Sequence, residues 1–228
     1  FEQVQISLLE PLAAGVTYTL EINGLEDCAE NPLSDELYTI ALPSIPDSFS
    51  VVINEVLFNP TSGGYDFVEL YNRSDKYYDL KDLLLGNRNS EGEISSVKSL
   101  SDGFLMAPGD YIVLTKDKDW LLKNYEVARP EWVVEMDLPS YSDAEGWVEL
   151  LAQDTSIIDE VHYLDDWHFN LLDDKNGISL ERIDPNKASQ SVSNWHSAAT
   201  SVGGATPTKR NSQFTNELIG EHKIALSA

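Results

Sequence analysis

The chain has 228 residues, 42% of them apolar, with 15 basic against 39 acidic side chains and a net charge of −24. That length and apolar content are sufficient for a packed core, so the chain is not read as disordered. The acidic excess repels nucleic acid and anionic membranes, and no apolar run approaches the roughly 18 residues that a membrane helix needs. The single Cys28 excludes an intramolecular disulfide framework and a four-cysteine metal site.

Residues 1–43 read as a separate β-rich piece. Val4, Ile6 and Leu8 alternate with polar neighbours, Tyr18, Leu20 and Ile22 alternate again, and Tyr38, Ile40 and Leu42 give a third strand. Asn23-Gly24 and Asn31-Pro32 are turn signals between them. Three strands are too few to close a sandwich of their own. Residues 44–50, with Pro46, read as a linker.

Val51–Phe58 and Phe67–Asn72 are then expected as two strands around Asn59-Pro60-Thr61-Ser62-Gly63-Gly64. In the second, Val68 and Leu70 share one face and Glu69 and Tyr71 the other, which predicts a half-buried strand with Glu69 in water. Further strands are expected over Tyr77–Leu85, Tyr111–Thr115, Val133–Leu138, Trp147–Leu151, Ile157–Tyr163 and Ile178–Ile183, with a polar loop over Asn87–Gly92. Lys116–Tyr125 is the one stretch read as a helix. Many short strands and almost no helical periodicity predict an all-β sandwich.

Two stretches resemble known families. Leu12-Ala13-Ala14-Gly15-Val16-Thr17-Tyr18-Thr19-Leu20, followed by Gly24-Leu25-Glu26-Asp27-Cys28-Ala29-Glu30-Asn31-Pro32-Leu33, resembles the closing half of a bacterial Ig-like domain, with Glu30 where that family usually has Gly. Residues 51–212 resemble a lamin tail domain in the form found in Bacteroidetes surface and secreted proteins. Ile53-Asn54-Glu55-Val56, Asp66-Phe67-Val68-Glu69-Leu70-Tyr71-Asn72 and Pro108-Gly109-Asp110-Tyr111 carry that resemblance. So do Gly177-Ile178-Ser179-Leu180-Glu181-Arg182 and Asn194-Trp195-His196-Ser197-Ala198 with Gly203-Gly204-Ala205-Thr206-Pro207. The resemblance implies an Ig-like β-sandwich, no catalytic residues, and an extracellular, cell-surface or periplasmic setting. Because the chain opens on Phe1 and residues 213–228 look like a lead-in to a further domain, it is expected to be an excerpt whose partners include neighbouring domains.

Four constellations bear on chemistry. Glu55, Asp66 and Glu69 come from adjacent strands, and convergent carboxylates serve acid–base work or hold a cation; the alternative is bonding to backbone or to Arg73. The acidic run Asp159, Glu160, Asp165, Asp166, Asp173 and Asp174, with His162 and His168, offers zinc or calcium ligands, and Asp165–Asp174 is the candidate calcium loop. A solvated acidic loop is the plainer reading. Cys28 has no nearby His, there is no G-x-S-x-G, and no phosphate-binding glycine motif occurs. Among the five Trp residues, Trp147 and Trp195 are expected in the core, and His196 is expected to cap or pack a strand end. Trp120, Trp132 and Trp167 sit in polar contexts and are the candidate platform for a glycan or protein ligand. The sequence is therefore read as a non-catalytic structural or adhesion-type module, with a carbohydrate- or protein-binding module and a metal-dependent hydrolase as rivals.

Overall fold

A computed structural model describes residues 6–13, 15–24, 26, 29, 31–32, 36–100 and 104–215. Val4, Cys28, Glu30 and the tail beyond residue 215 lie outside the described residues, and with them part of the first expected strand and residues 216–228 of the expected lead-in.

Strands β1 (Thr17–Ile22) and β2 (Glu36–Ala41) form an antiparallel hairpin, paired from Thr17↔Ala41 to Ile22↔Glu36. Its alternation is the one read from Tyr18, Leu20 and Ile22, yet Leu37 remains 71% exposed because a two-stranded ribbon has no second layer to bury it. The hairpin touches the rest of the chain where Thr17 Oγ1 meets the Tyr77 hydroxyl at 2.7 Å and Ser44 N–H donates to the Tyr77 carbonyl at 2.7 Å.

The remaining strands are β3 (Val51–Leu57), β4 (Phe67–Asn72), β5 (Tyr78–Asp79), β6 (Leu83–Arg88), β7 (Ile94–Ser99) and β8 (Leu105–Met106). Then come β9 (Tyr111–Thr115), helix α1 (Lys118–Asn124), β10 (Val133–Glu135), β11 (Glu145–Ala152), β12 (Ile157–Leu164), β13 (Leu180–Arg182) and β14 (Trp195–Ser197). They make a six-stranded sheet, β10-β9-β4-β3-β13-β14, facing a four-stranded sheet, β12-β11-β6-β7, with β5 and β8 as a small ribbon. All pairs are antiparallel except β10 on β9. Between the sheets, Ile53, Val56, Val68, Leu70, Ile112 and Leu114 pack on Leu83, Leu85, Val148, Leu150, Val161 and Tyr163 in one buried cluster. Each such side chain contributes about 1.5–3 kcal/mol when taken fully from water.

Several expectations shift at their edges. Tyr77–Leu85 is not one strand: Asp79 accepts the Lys81 N–H and turns the chain through one 3-10 turn before β6. The expected loop over Asn87–Gly92 begins inside β6, and β7 follows it although Ile94–Ser99 reads as polar. That strand is an exposed edge, so its side chains need no apolar face. Trp147 is half-buried and stands on the outer face of the four-stranded sheet rather than in the core. Its indole lies between Arg88, 4.7 Å away, and His162, stacked at 4.3 Å.

Two bulges set which side chains face where. In β3 the register moves between Ile53↔Leu70 and Glu55↔Glu69, leaving Asn54 as the extra residue. Alternation therefore restarts after it, and Val56 points to the core while Glu55 and Leu57 point outward. In β12 a similar shift leaves Ile158 unpaired, and its carbonyl accepts the Phe49 N–H at 2.6 Å.

The outward face of the six-stranded sheet is itself covered. Helix α1, capped by Asp117 whose side chain accepts the Trp120 N–H at 2.7 Å, drops Leu121 onto Leu57, Phe67 and Val113. Beside it, residues 204–213 lie across the sheet as a strap, entered through Gly204 at φ +90°, where a Cβ would stand 2.9 Å from the Gly177 carbonyl.

Candidate functional site: a row of buried glutamates

Under the strap, Glu181 on β13 pairs with Glu55 on β3, and Glu55 pairs with Glu69 on β4. Cross-strand partners point to the same side, so three carboxylates stand in one lateral row. All three are 0% exposed. Glu69 is thus not the solvent-facing residue its alternating strand predicts, because the strap replaces water on that face.

The strap supplies the hydrogen bonds. Thr206 N–H and Ser179 Oγ donate to Glu55 Oε1 at 2.8 and 2.5 Å. Thr208 N–H and Asn54 Nδ2 donate to Glu69 at 2.6 and 2.8 Å. Gln213 N–H and Ser212 Oγ donate to Glu181 Oε2 at 2.8 and 2.7 Å. Thr206 Oγ1 sits between two of the acids, 3.2 Å from Glu55 Oε2 and 2.7 Å from Glu181 Oε1. Asn211 Nδ2 donates to the Asn54 and Arg182 carbonyls and ties the end of the strap to the bulge. Burial, with Glu181 beside it, pushes the Glu55 carboxyl up to about 8. Burial and Glu55 hold Glu69 well above the carboxylate range.

Asp66 does not join this row. It stands at the end of the sandwich, where burial and nearby Asp143 push it up to about 7, and its carbonyl accepts from Thr115 Oγ1. Arg73 donates to the Phe49 carbonyl and to Asn186, so it serves none of the three carboxylates first considered with it. Glu181 is the member that reasoning from sequence left out, although Ser179 and Glu181 alternate with Leu180 and Arg182 in plain view.

The acidic run is split among separate partners. Asp159 bridges the sheets, accepting from Ile53 N–H and from fully buried Arg182 at 3.1 Å, with Ser189 contacting both. Glu160 pairs with Arg88, Asp165 with Lys175 at 2.5 Å, and Asp174 accepts the Asn176 N–H. Asp166, Asp173 and Asp174 are exposed. Among the described residues no three His, Cys, Asp or Glu side chains are grouped so as to hold a metal ion. His162 bonds Glu145, and His168 is buried with Nδ1 on Ser197 Oγ, its protonation held down to about 4 by burial. His196 lies on the short strand β14, half-buried, as its expected packing role requires.

Trp120, Trp132 and Trp167 are each half-buried and lie apart. Trp120 meets Tyr65 and Tyr125 on the outer layer, Trp132 lies 3.9 Å under Arg129, and Trp167 packs toward Trp195. Trp195 is in the core, as expected.

Among the clefts lined by the described residues, two bear on binding. One of about 410 Å³ runs along edge strand β12, between Phe49, Ile157 and Gln190. Gln190 closes much of that edge: its Nε2 donates to the Glu160 carbonyl and its Oε1 accepts the His162 N–H. Those are the two bonds a residue on a parallel neighbouring strand would make. The second, about 360 Å³, is bounded by Tyr125, Asn124, Asn176, Thr61 and Thr200, with glycine backbone between them.

No helix among the described residues is long and apolar enough to cross a membrane. No curated protein matches the chain. Residues 46–165 match the family model of the Lamin Tail Domain, and the six-stranded sheet continues past them through β13 and β14. Spanning more than half of the chain and agreeing with its Ig-like all-β sandwich, that match makes the protein a member of the lamin tail domain family, a family of non-enzymatic domains.

Proposed function

We propose that this chain is a structural, adhesion-type module of a longer exported protein, holding neighbouring domains in place rather than turning over a substrate. The observation that carries this reading is the state of the glutamate row. Three carboxylates line up there, sealed at 0% exposure, with their oxygens accepting from the strap and from Ser179 and Asn54. A hydrolytic site needs the opposite, free carboxylates open to water and substrate. Export, a Bacteroidetes-type host and an Ig-like neighbour before residue 44 rest on the sequence resemblance. Leu37, 71% exposed on the β1–β2 hairpin, is apolar surface that the rest of such an Ig-like domain would cover. Antibody labelling of intact cells tests the setting, since a chain found only in the cytosol would overturn it. A thermal melt in chelator and then in millimolar calcium tests the absence of chemistry at the acidic loop. A midpoint raised by several degrees would mean a folded-state cation site, by mass action, and would revive the hydrolase.

A second reading is favoured by the smaller cleft. Asn124, Asn176, Thr61 and Thr200 are neutral polar groups, and Tyr125 gives them an aromatic wall. That is the chemistry of a site for a neutral polyhydroxylated ligand, with amides for vicinal hydroxyls and a ring for an apolar sugar face. Titration of labelled protein with cellobiose, maltose and chitobiose should then move the Asn124 and Asn176 side-chain amide resonances. Unmoved resonances would leave the structural role alone.

A further inference from the structure

We propose that Glu55 carries a proton at neutral pH, that this proton helps fasten residues 204–213 over the sheet, and that its loss in mild alkali releases the strap.

The geometry counts the proton. A threonine hydroxyl has one hydrogen to donate. Thr206 Oγ1 lies 2.7 Å from Glu181 Oε1 and 3.2 Å from Glu55 Oε2 and can donate to only one of them, so the other contact is a hydrogen bond only when that acid is itself the donor; Glu55, the middle member with an acid on either side, is that acid. The other Glu55 oxygen behaves as the carbonyl end of a neutral acid, accepting from Thr206 N–H and Ser179 Oγ. The chain of bonds therefore runs Glu55 O–H to Thr206 O–H to Glu181, whose other oxygen receives Ser212 and Gln213.

The charges around the row favour the same assignment. Glu69 faces Glu55 from β4 and Glu181 faces it from β13, both acidic. From β9 and the residue after α1 come Tyr111 and Tyr125, whose hydroxyls burial pushes up to about 12, leaving both neutral. His196 on β14 stands opposite Glu181. Of the strap's own cations, Lys209 pairs with Glu126, and Arg210 lies over the Phe214 ring and bonds the Tyr111 hydroxyl rather than a carboxylate of the row. Arg182, next to Glu181 in sequence, points to the other face and pairs with Asp159. Three adjacent carboxylates without a paired cation cannot all ionise in a dry site, so protons take the place of the counter-ion. Burial and Glu181 place the loss of the Glu55 proton in the mildly alkaline range.

Once Glu55 ionises, the Thr206 contact changes from a bond into two acceptors competing for one hydrogen, beside the third acid, Glu69. The strap is the part that yields, because β3, β4 and β13 are held by their ladders and by the core.

The test is amide hydrogen exchange, corrected for the intrinsic rate, together with the carbon-13 shift of the Glu55 carboxyl. Between pH of about 6.5 and about 9 the protection of Thr206, Thr208 and Gln213 should fall by about tenfold or more while β6 and β11 stay protected. E55Q, whose amide donates and accepts as the neutral acid does, should keep the strap protected throughout. T206V, which keeps the N–H and removes the relay, should move release to lower pH. A Glu55 carboxyl already ionised at neutral pH overturns the proposal without any variant. So does strap protection that ignores pH, or an E55Q strap that opens as the wild type does.

Discussion

Asp159 and Glu55 are both buried acids at bulged positions of the sandwich, and they are accommodated in opposite ways. Asp159 lies between the sheets and pairs with Arg182, whose guanidinium is held near the Trp195 ring at 5.3 Å; burial pushes the carboxyl up and Arg182 pulls it back. Glu55 lies under the strap among other acids and is met by peptide N–H groups, hydroxyls and a proton. The difference shows that a buried carboxylate fixes structure through whatever completes it. A cation makes it a permanent cross-link, whereas a proton makes it a link that depends on pH.

Removing the cation should have the largest effect. R182M leaves Asp159 buried without its cation, and should cost about 3–5 kcal/mol in urea unfolding. D159N/R182M, which removes both charges, should recover much of that loss. Equal instability of the single and double variants would mean that Arg182 acts by filling space between the sheets.

Within the row, two glutamine substitutions should part company. Both Glu69 oxygens accept from N–H donors, the Thr208 backbone and Asn54 Nδ2, whose amide is held in that orientation by its second bond to Asn211 Oδ1. E69Q turns an NH2 group against one of them and should cost about 1–3 kcal/mol at any pH. E55Q keeps a donor where the proton was and takes up no proton on folding, so near pH 6.5 it should be at least as stable as wild type. Equal losses would show that Glu55 accepts at both oxygens and is not the protonated member.

The pH dependence follows from the same contrast. The folded Glu55 carboxyl sits at about 8, above its ordinary value of 4.5, so the folded chain holds the proton more tightly than the unfolded one. Stability from that proton is complete below the ordinary value and is lost as pH rises through 8, at up to about 1.4 kcal/mol per pH unit for one proton. Asp66 and Glu149, both raised to about 7, add in the same direction. His168 works the other way: lowered to about 4, it loses stability as pH falls from its ordinary 6.5. The fall between pH of about 6.5 and about 8 should therefore be free of the histidine, and E55Q should flatten part of it. A melting temperature level over that range would put Glu55 and its neighbours ionised from the start.

Much of this was legible in the chain and part of it was not. The alternation of Val68 and Leu70 against Glu69 and Tyr71 correctly separates the faces of β4, and the short apolar runs give the sandwich. What alternation cannot say is what covers the polar face. The cover on Glu69 arrives from Thr208, 139 residues later, and that on Glu55 from Thr206, 151 residues later. The Asn54 bulge, which turns Glu55 outward, leaves no mark in a stretch that reads as a continuous strand. Trp147 was misplaced for a related reason: an aromatic residue opening a strand looks like core, but Arg88 and His162 on adjacent strands give its two ring faces partners on the surface.

The smallest effect belongs to the region with the most conspicuous sequence. Asp165, Asp166, Asp173 and Asp174 form the densest acidic stretch, yet Asp165 alone has a cationic partner, the half-exposed Lys175. Exposed pairs of this kind are worth about 0–1 kcal/mol, and the unpaired aspartates repel one another across the loop. D166N/D173N/D174N should therefore change stability by no more than about 0.5 kcal/mol, and added salt should erase even that. A calcium-dependent midpoint in the wild type that this triple variant abolishes would reverse the ranking. The exposed acids would then be the functional ones, and the buried row a matter of architecture alone.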